Sequence, residues 1–213
     1  MLAYILIVVA AYLLGSIPTG YLVARAKGID IRKVGSGNIG ATNAMRVLGK
    51  PAGITVLLVD ALKGYAAVAW LCPVVIELSG RPDTEIETLR IIAGIAAVLG
   101  HNYTCWLKFK GGKGVATNGG AYLALAPLAV GIALAAFILA VLLTRYVSIG
   151  SIAAAIALPV AVWWLPEHNL FLGLVTTALG AMAVYKHKSN IKRLMAGTES
   201  RIGKKPEIQE ATK

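Results

Sequence analysis

Long stretches of this chain carry almost no charge, and its charged residues crowd into the gaps between them. With 213 residues, 57% of them hydrophobic, a water-soluble fold of this length has no interior large enough for that much apolar sequence. Lipid is its natural solvent. A spanning helix needs about 20 apolar residues, fewer where protein shelters it. The runs at 2–24, 51–76, 89–107, 128–143, 149–165 and 170–185 are therefore predicted as membrane helices. A single helix over 115–144 would be about 45 Å long, against a hydrocarbon core of about 30 Å. Pro127 is read as dividing it into a short helix, 115–125, and the fuller one that follows. The expectation is an all-α integral membrane protein of about seven transmembrane helices. Residues 1–199 form one polytopic domain, and 200–213 form a polar tail.

The formal net charge is +11, and its distribution says more than its size. Arg25, Lys27, Arg32, Lys33, Arg46 and Lys50 share one gap, Lys108, Lys110 and Lys113 another, and Arg145 and the basic tail follow. The alternate gaps hold Glu77, Asp83, Glu85, Glu87 and Glu167, with Arg81 and Arg90 among them. Loops rich in Lys and Arg stay in the cytosol. Seven helices then put the N-terminus outside and the C-terminus inside. The charge is thus a topology signal before it is a ligand signal, and no nucleic-acid partner is expected. The first run has no basic stretch before it and exceeds a signal-peptide core of about 7–15 residues, so it is read as a retained helix. Cys72 and Cys105 fall near opposite faces, and no disulfide is expected. Asp60 and Lys63 lie inside the second span, three apart on one helical face. They either neutralise each other or shape the floor of a site.

The polar motifs gather on the side assigned to the cytosol. Gly35–Arg46 reads GSGNIGATNAMR. Its G-x-G-x-x-G is no dinucleotide fingerprint, because a chain of membrane helices supplies no preceding strand. The loop physics survives that rejection. Glycines such as Gly37 let N–H groups approach an anion, Ser36, Asn38, Thr42 and Asn43 add side-chain donors, and Arg46 offers a fork suited to phosphate. The bland alternative is a Gly/Asn turn between helices. Lys108–Gly114 reads KFKGGKG and misses the Walker spacing, since Gly114 follows the lysine. A helix start with Gly111, Gly112 and Lys113 is still suited to phosphate. Lys108 and Lys110 read more simply as topology anchors. A third region combines Ser148 and Ser151 in RYVSIGS with His187 and Asn190 after the last run. A lone interfacial histidine is usually structural, and that caution covers His187 and His101 alike.

Absences narrow the chemistry. There is no H-E-x-x-H, cysteine cluster or G-x-S-x-G, and Asp30 is the only carboxylate of the cytosolic loops before the tail. No metal and no cofactor are expected. A mechanism built on cations and N–H donors suits transfer between phosphorylated molecules.

The blocks GSGNIGATNAMR, GHNYTCWLKFKGGKGVAT, RYVSIGS and HKSNIKRLMAGTE, in this order and spacing, closely resemble the acyl-phosphate-dependent glycerol-3-phosphate acyltransferases, the PlsY family. The resemblance runs from the first helix to about Glu199. It implies a seven-helix protein of the bacterial inner membrane with a cytosolic active site. Such an enzyme acylates glycerol-3-phosphate from an acyl phosphate, yielding lysophosphatidic acid and inorganic phosphate, without acyl-CoA or acyl carrier protein. By motif position it assigns active-site roles to Ser36, Arg46, Lys113, Ser151, His187 and Asn190. The competing class is a transporter or binding protein for a phosphorylated anion. A transporter should place its site at the bilayer midplane within broken helices and internal repeats. Here no repeat is found and the motifs crowd one face. Oligomeric state is not legible.

Overall fold

A computed structural model of the chain describes residues 2–80, 86–166 and 169–203, and the regular structure among them is helical. The first apolar run is broken: α1, Leu2–Ser16, and α2, Thr19–Arg25, meet at Ile17-Pro18. Proline lacks an N–H and disfavours helix in the residue before it, so the single helix expected over 2–24 is interrupted there. The basic gap that follows is not bare loop. It contains a 3₁₀ turn, Ile31–Lys33, and the amphipathic α3, Ala41–Leu48. α4, Lys50–Ala66, opens with Pro51 in its first turn. It widens into a π turn at Ala67–Leu71 and continues as α5, Cys72–Leu78. The wide turn lies just before Pro73, whose missing N–H would break a regular ladder.

α6, Ile86–Asn102, ends five residues before the expected 107, because the chain turns at Tyr103 and Thr104 and forms a 3₁₀ turn at Cys105–Leu107. Pro127 divides the next stretch as expected, into α7, Val115–Leu125, and α8, Pro127–Thr144. α9, Val147–Trp164, keeps Pro159 within it, and α10 is Leu170–Lys186. The polar segment after the last apolar run folds into α11, Lys188–Met195, bent from α10 by 49°. Arg81, Asp83, Glu85 and Glu167, on which part of the charge pattern rests, lie outside the described residues, as does the tail beyond 203.

Among the described residues four stretches are long and apolar enough to cross a membrane, α1–α2, α4–α5, α8 and α9, or five if bent α10–α11 is one span. Their outer faces are apolar: Leu142 is 73% exposed and Leu143 75%. Such a surface suits lipid and would be a liability in water. α1 packs on α6, α4 on α7, and α8 on α9. The closest approaches use small residues. A Cβ on Gly100 of α6 would strike the backbone of α1 at Tyr12, and one on Gly120 of α7 would strike the Ala61 carbonyl of α4. α7, only 11 residues long, is sheltered by this packing. Its C-terminal end is capped by Arg90 of α6, which donates to the Ala124 carbonyl at 2.7 Å.

Asp60 and Lys63 form a buried ion pair of 2.9 Å at the break between α1 and α2. Lys63 Nζ donates to the Ile17 carbonyl at 2.9 Å, and Asp60 accepts from the Thr19 hydroxyl at 3.0 Å. The cation meets the carboxyl end of α1 and the anion meets the amino end of α2, which matches the helix dipoles. Both cysteines are free.

Candidate active site

The loop before α3 is held by one side chain. Asn43 is 2% exposed, and its amide is engaged on every side. Oδ1 accepts from Ser36 N at 2.8 Å, while Nδ2 donates to the carbonyls of Asn38 at 2.9 Å, Val34 at 3.1 Å and Ile31 at 3.3 Å. Asn38 Oδ1 accepts from Gly40 N at 2.8 Å. With Asn43 and the Asn38 carbonyl facing inward, Ser36 and Thr42 stand exposed at the rim, and Arg46 is half-buried one turn along α3. Asp30 pairs with Arg32 at 2.8 Å, and hydrogen bonds from that guanidinium pull its carboxyl down to about 2.

The second loop folds back over the end of α6. Gly111 N donates to the Asn102 carbonyl at 3.2 Å and Gly112 N to the His101 carbonyl at 3.0 Å. Those two N–H groups, expected to face an anion, instead cap a helix end. Lys113 follows them and leads into α7, whose first-turn N–H groups lack partners within the helix. Lys113 Nζ donates to Asn190 Oδ1 of α11. Burial, then the charge of Arg193, lower its pKa; Glu199 opposes and Arg46 adds to the lowering, leaving it at about 8. Arg46 thus acts on Lys113 through its field even without a direct bond.

The third wall comes from the bend between α10 and α11 and from the segment after it. His187 sits at the bend, 2% exposed, with Nδ1 2.8 Å from the Ala183 carbonyl. A carbonyl can only accept, so Nδ1 carries the proton and Nε2 presents a lone pair. Burial and then the Lys113 charge push this imidazole down to about 4, against the Ala183 carbonyl and Glu199, so it is neutral at physiological pH. Asn190 Nδ2 donates to Glu199 Oε1 at 2.7 Å, and Arg193 Nε donates to Oε2 at 2.6 Å. Burial works to raise the Glu199 carboxyl, but these hydrogen bonds hold it below its usual range. The strap that brings Glu199 here is anchored on the α8–α9 turn, where Ile202 N donates to the Arg145 carbonyl at 2.9 Å and Arg201 to the Tyr146 hydroxyl at 2.8 Å. Ser148 and Ser151 are buried on one face of α9. Ser151 bonds back to the Val147 carbonyl at 2.9 Å, whereas Ser148 Oγ lies towards Glu199 and helps to hold its carboxyl down.

These walls enclose a polar cleft of about 130 Å³ lined by Ser36, Gly37, Asn38, Lys113, Lys186, Ser189 and Arg193. Of the residues expected from sequence, Ser36, Gly37, Asn38 and Lys113 line it. Asn190 and His187 stand behind Lys113, and Arg46 lies within its field. Asn43, Gly111 and Gly112 are built into the loops. Arg193 and Glu199 were not singled out by sequence, and Lys186 stood there only as a donor beside His187. Ser189 and Arg193, four apart on α11, share a helical face, and that spacing was the available signal. Lys186 is positioned by the Asn102 carbonyl at 3.1 Å and by the Tyr103 ring, 3.8 Å from its centroid. Among the described residues no group of His, Cys, Asp and Glu is arranged to hold a metal ion. Cations exceed carboxylates around the cleft, so it favours an anion.

Most of the chain matches known proteins. A family model described as glycerol-3-phosphate acyltransferase matches residues 5–197. A glycerol-3-phosphate acyltransferase of Geobacter sulfurreducens is 48% identical, covering 95% of this chain and 99% of that protein. Two crystal structures of PlsY (YgiH), an integral membrane glycerol 3-phosphate acyltransferase, superpose closely. The glycerol 3-phosphate form has a TM-score of 0.83 at 38% identity, covering 94% of this chain and 96% of that one. The lysophosphatidic acid form has a TM-score of 0.80 at 36% identity, covering 94% and 95%. With its helical membrane architecture and its cationic cleft, this chain belongs to the glycerol-3-phosphate acyltransferase family.

Proposed function

We propose that the protein transfers an acyl group from an acyl phosphate to glycerol-3-phosphate on the cytosolic face of a bacterial inner membrane. The products are 1-acylglycerol-3-phosphate and inorganic phosphate. The cleft bounded by Lys113, Lys186, Arg193 and Ser36 is the observation that carries this reading. It offers cations and hydroxyls to phosphate and, among the described residues, no carboxylate pair or metal cage. The bilayer-facing helices leave room for a long acyl chain to remain in apolar surroundings. Both named forms of the PlsY neighbours, with glycerol 3-phosphate and with lysophosphatidic acid, fit a site of this kind.

An acyl phosphate is a mixed anhydride with a good leaving group. The glycerol hydroxyl oxygen attacks the carbonyl carbon, the bond from that carbon to the phosphate oxygen breaks, and phosphate departs with the electron pair. The enzyme's task is to align the two substrates and to stabilise the departing charge. Lys113 and Arg46 serve as phosphate-binding cations, with Asn190 orienting Lys113 and Glu199 orienting Asn190. Ser36, Ser148 and Ser151 add hydroxyls, and Gly37, Asn38 and Thr42 shape the rim. Asn43, Gly111 and Gly112 act by fixing loop geometry. Neutral His187 accepts, through Nε2, from the hydroxyl of glycerol-3-phosphate that does not attack, and so orients the one that does. The proton passes to a substrate phosphate, whose second pKa of about 6 makes it the better base beside an imidazole at about 4. Asp30 is committed to Arg32 and takes no part.

Purified protein given labelled glycerol-3-phosphate and palmitoyl phosphate should form lysophosphatidic acid without ATP, divalent metal or a thioester donor. Activity with acyl-CoA alone would overturn the choice of donor.

A further inference from the structure

His101, backed by Asp60, lies outside the chemistry above, yet its ring touches the loop that carries Lys113. His101 is 5% exposed. Its Nδ1 lies 3.6 Å from Asp60 Oδ1 and has no other partner among the described residues. Asp60 is in turn fixed by Lys63 at 2.9 Å and by the Thr19 hydroxyl at 3.0 Å, so the imidazole rests on an anchored carboxylate. The opposite edge of the ring faces Gly112. A Cβ built on Gly112 would run into His101 Nε2, with Cε1 at 2.8 Å and Cδ2 at 3.0 Å, and into nothing else among its nearest atoms. Gly112 does not have a positive φ, so its backbone would accept a side chain if the ring were absent. The next residue is Lys113.

We propose that His101, held by Asp60, is a positioning residue for the Lys113 loop. The imidazole forms the seat on which Gly112 rests, and its bulk sets the height at which the Lys113 ammonium meets a substrate phosphate. This rests on the reading that Lys113 binds phosphate. The main-chain bonds from Gly111 and Gly112 to the end of α6 fix the direction of the loop, while the ring fixes its depth. A displacement of about 1 Å at a reacting group can cost a hundredfold in rate. A ring and a methyl group competing for one space therefore have a kinetic signature that a merely stabilising histidine would lack.

The experiment is a size swap. Wild type, His101→Ala, Gly112→Ala and the double variant are purified, and kcat, KM for glycerol-3-phosphate and thermal midpoint are measured with palmitoyl phosphate as donor. Each single variant should lose about ten- to a hundredfold in kcat/KM, mainly through KM. In the double variant the new methyl group fills part of the vacated seat, and at least half of the logarithmic loss should return. A double variant as impaired as the product of the two singles overturns the proposal, as does wild-type KM in either single. So does a loss of kcat/KM that merely follows thermal midpoint across the set. His101→Leu, which keeps most of the volume, serves if the alanine variant does not accumulate. It should hold KM near wild type, and a KM raised as far as in Gly112→Ala overturns the proposal. Absence of turnover in wild type would instead strike the acyl-phosphate reading itself, so the two failures are distinguishable.

Discussion

Lys113 gathers more of the site's physics than any other side chain. Burial and neighbouring guanidinium groups leave it at about 8, so most of the ammonium survives at pH 7 and is lost as pH rises through that value. Because kcat/KM reports groups of the free enzyme, it should fall progressively above pH 8. Lys113→Arg keeps its charge at every accessible pH, so its profile should lose that alkaline limb even if its absolute efficiency is lower. A wild-type profile flat to pH 10 would remove Lys113 from phosphate binding. Alanine at Lys113 or Arg46 should reduce kcat/KM by about ten- to a hundredfold, the worth of one charge-assisted contact. His187 is the complementary case. The Ala183 carbonyl takes its only N–H and leaves an acceptor. Asparagine and glutamine also offer an acceptor, so His187→Asn and His187→Gln should retain measurable turnover at saturating substrate. Losses beyond about a thousandfold in both, with binding intact, would make His187 the base.

The same difference between binding and bracing recurs in the elements. Asn43 stood in the sequence among polar donors, and nothing local marked it as the one turned inward. Asn43→Ala removes the acceptor of the Ser36 N–H and one donor from each of the Ile31, Val34 and Asn38 carbonyls, of which Val34 keeps Gly37 N, at about 1–3 kcal/mol for each buried group left unpaired. Hydrogen exchange over 34–43 should accelerate sharply while the transmembrane helices keep their protection. Unchanged exchange in that loop would contradict the bracing role. Long helices were legible because their apolar runs exceed any alternative, and Pro127 marked its own break. Pro18 is equally a proline, but apolar sequence on both sides concealed the interruption. α3 and α11 escaped notice because each is only eight residues long and rich in polar side chains, which reads as loop. α6 was drawn too long because Trp106 and Leu107 continue the apolar run past the turn at Tyr103 and Thr104.

For the molecule as a whole, motifs far apart in sequence could be recognised as a set, but their mutual geometry could not. Lys113 and Asn190 meet across 77 positions only because α10 bends into α11 and the Glu199 strap returns to Tyr146 and Arg145. If the charge bias of the loops sets orientation, a cysteine at Lys113 or His187 should be labelled from the cytosolic side. Labelling at either from the outside alone would invert the proposed topology and remove the shared cytosolic site. The contacts of α1 with α6 and of α4 with α7 lead elsewhere. Where Gly100 and Gly120 let one main chain lie against another, there is no side chain to shorten and no cavity to open. Sequence change there is a ratchet that moves in one direction only. Every substitution adds atoms, so in a saturation scan these positions should appear as walls, whereas the lipid-facing leucines of α8 should appear as gentle slopes.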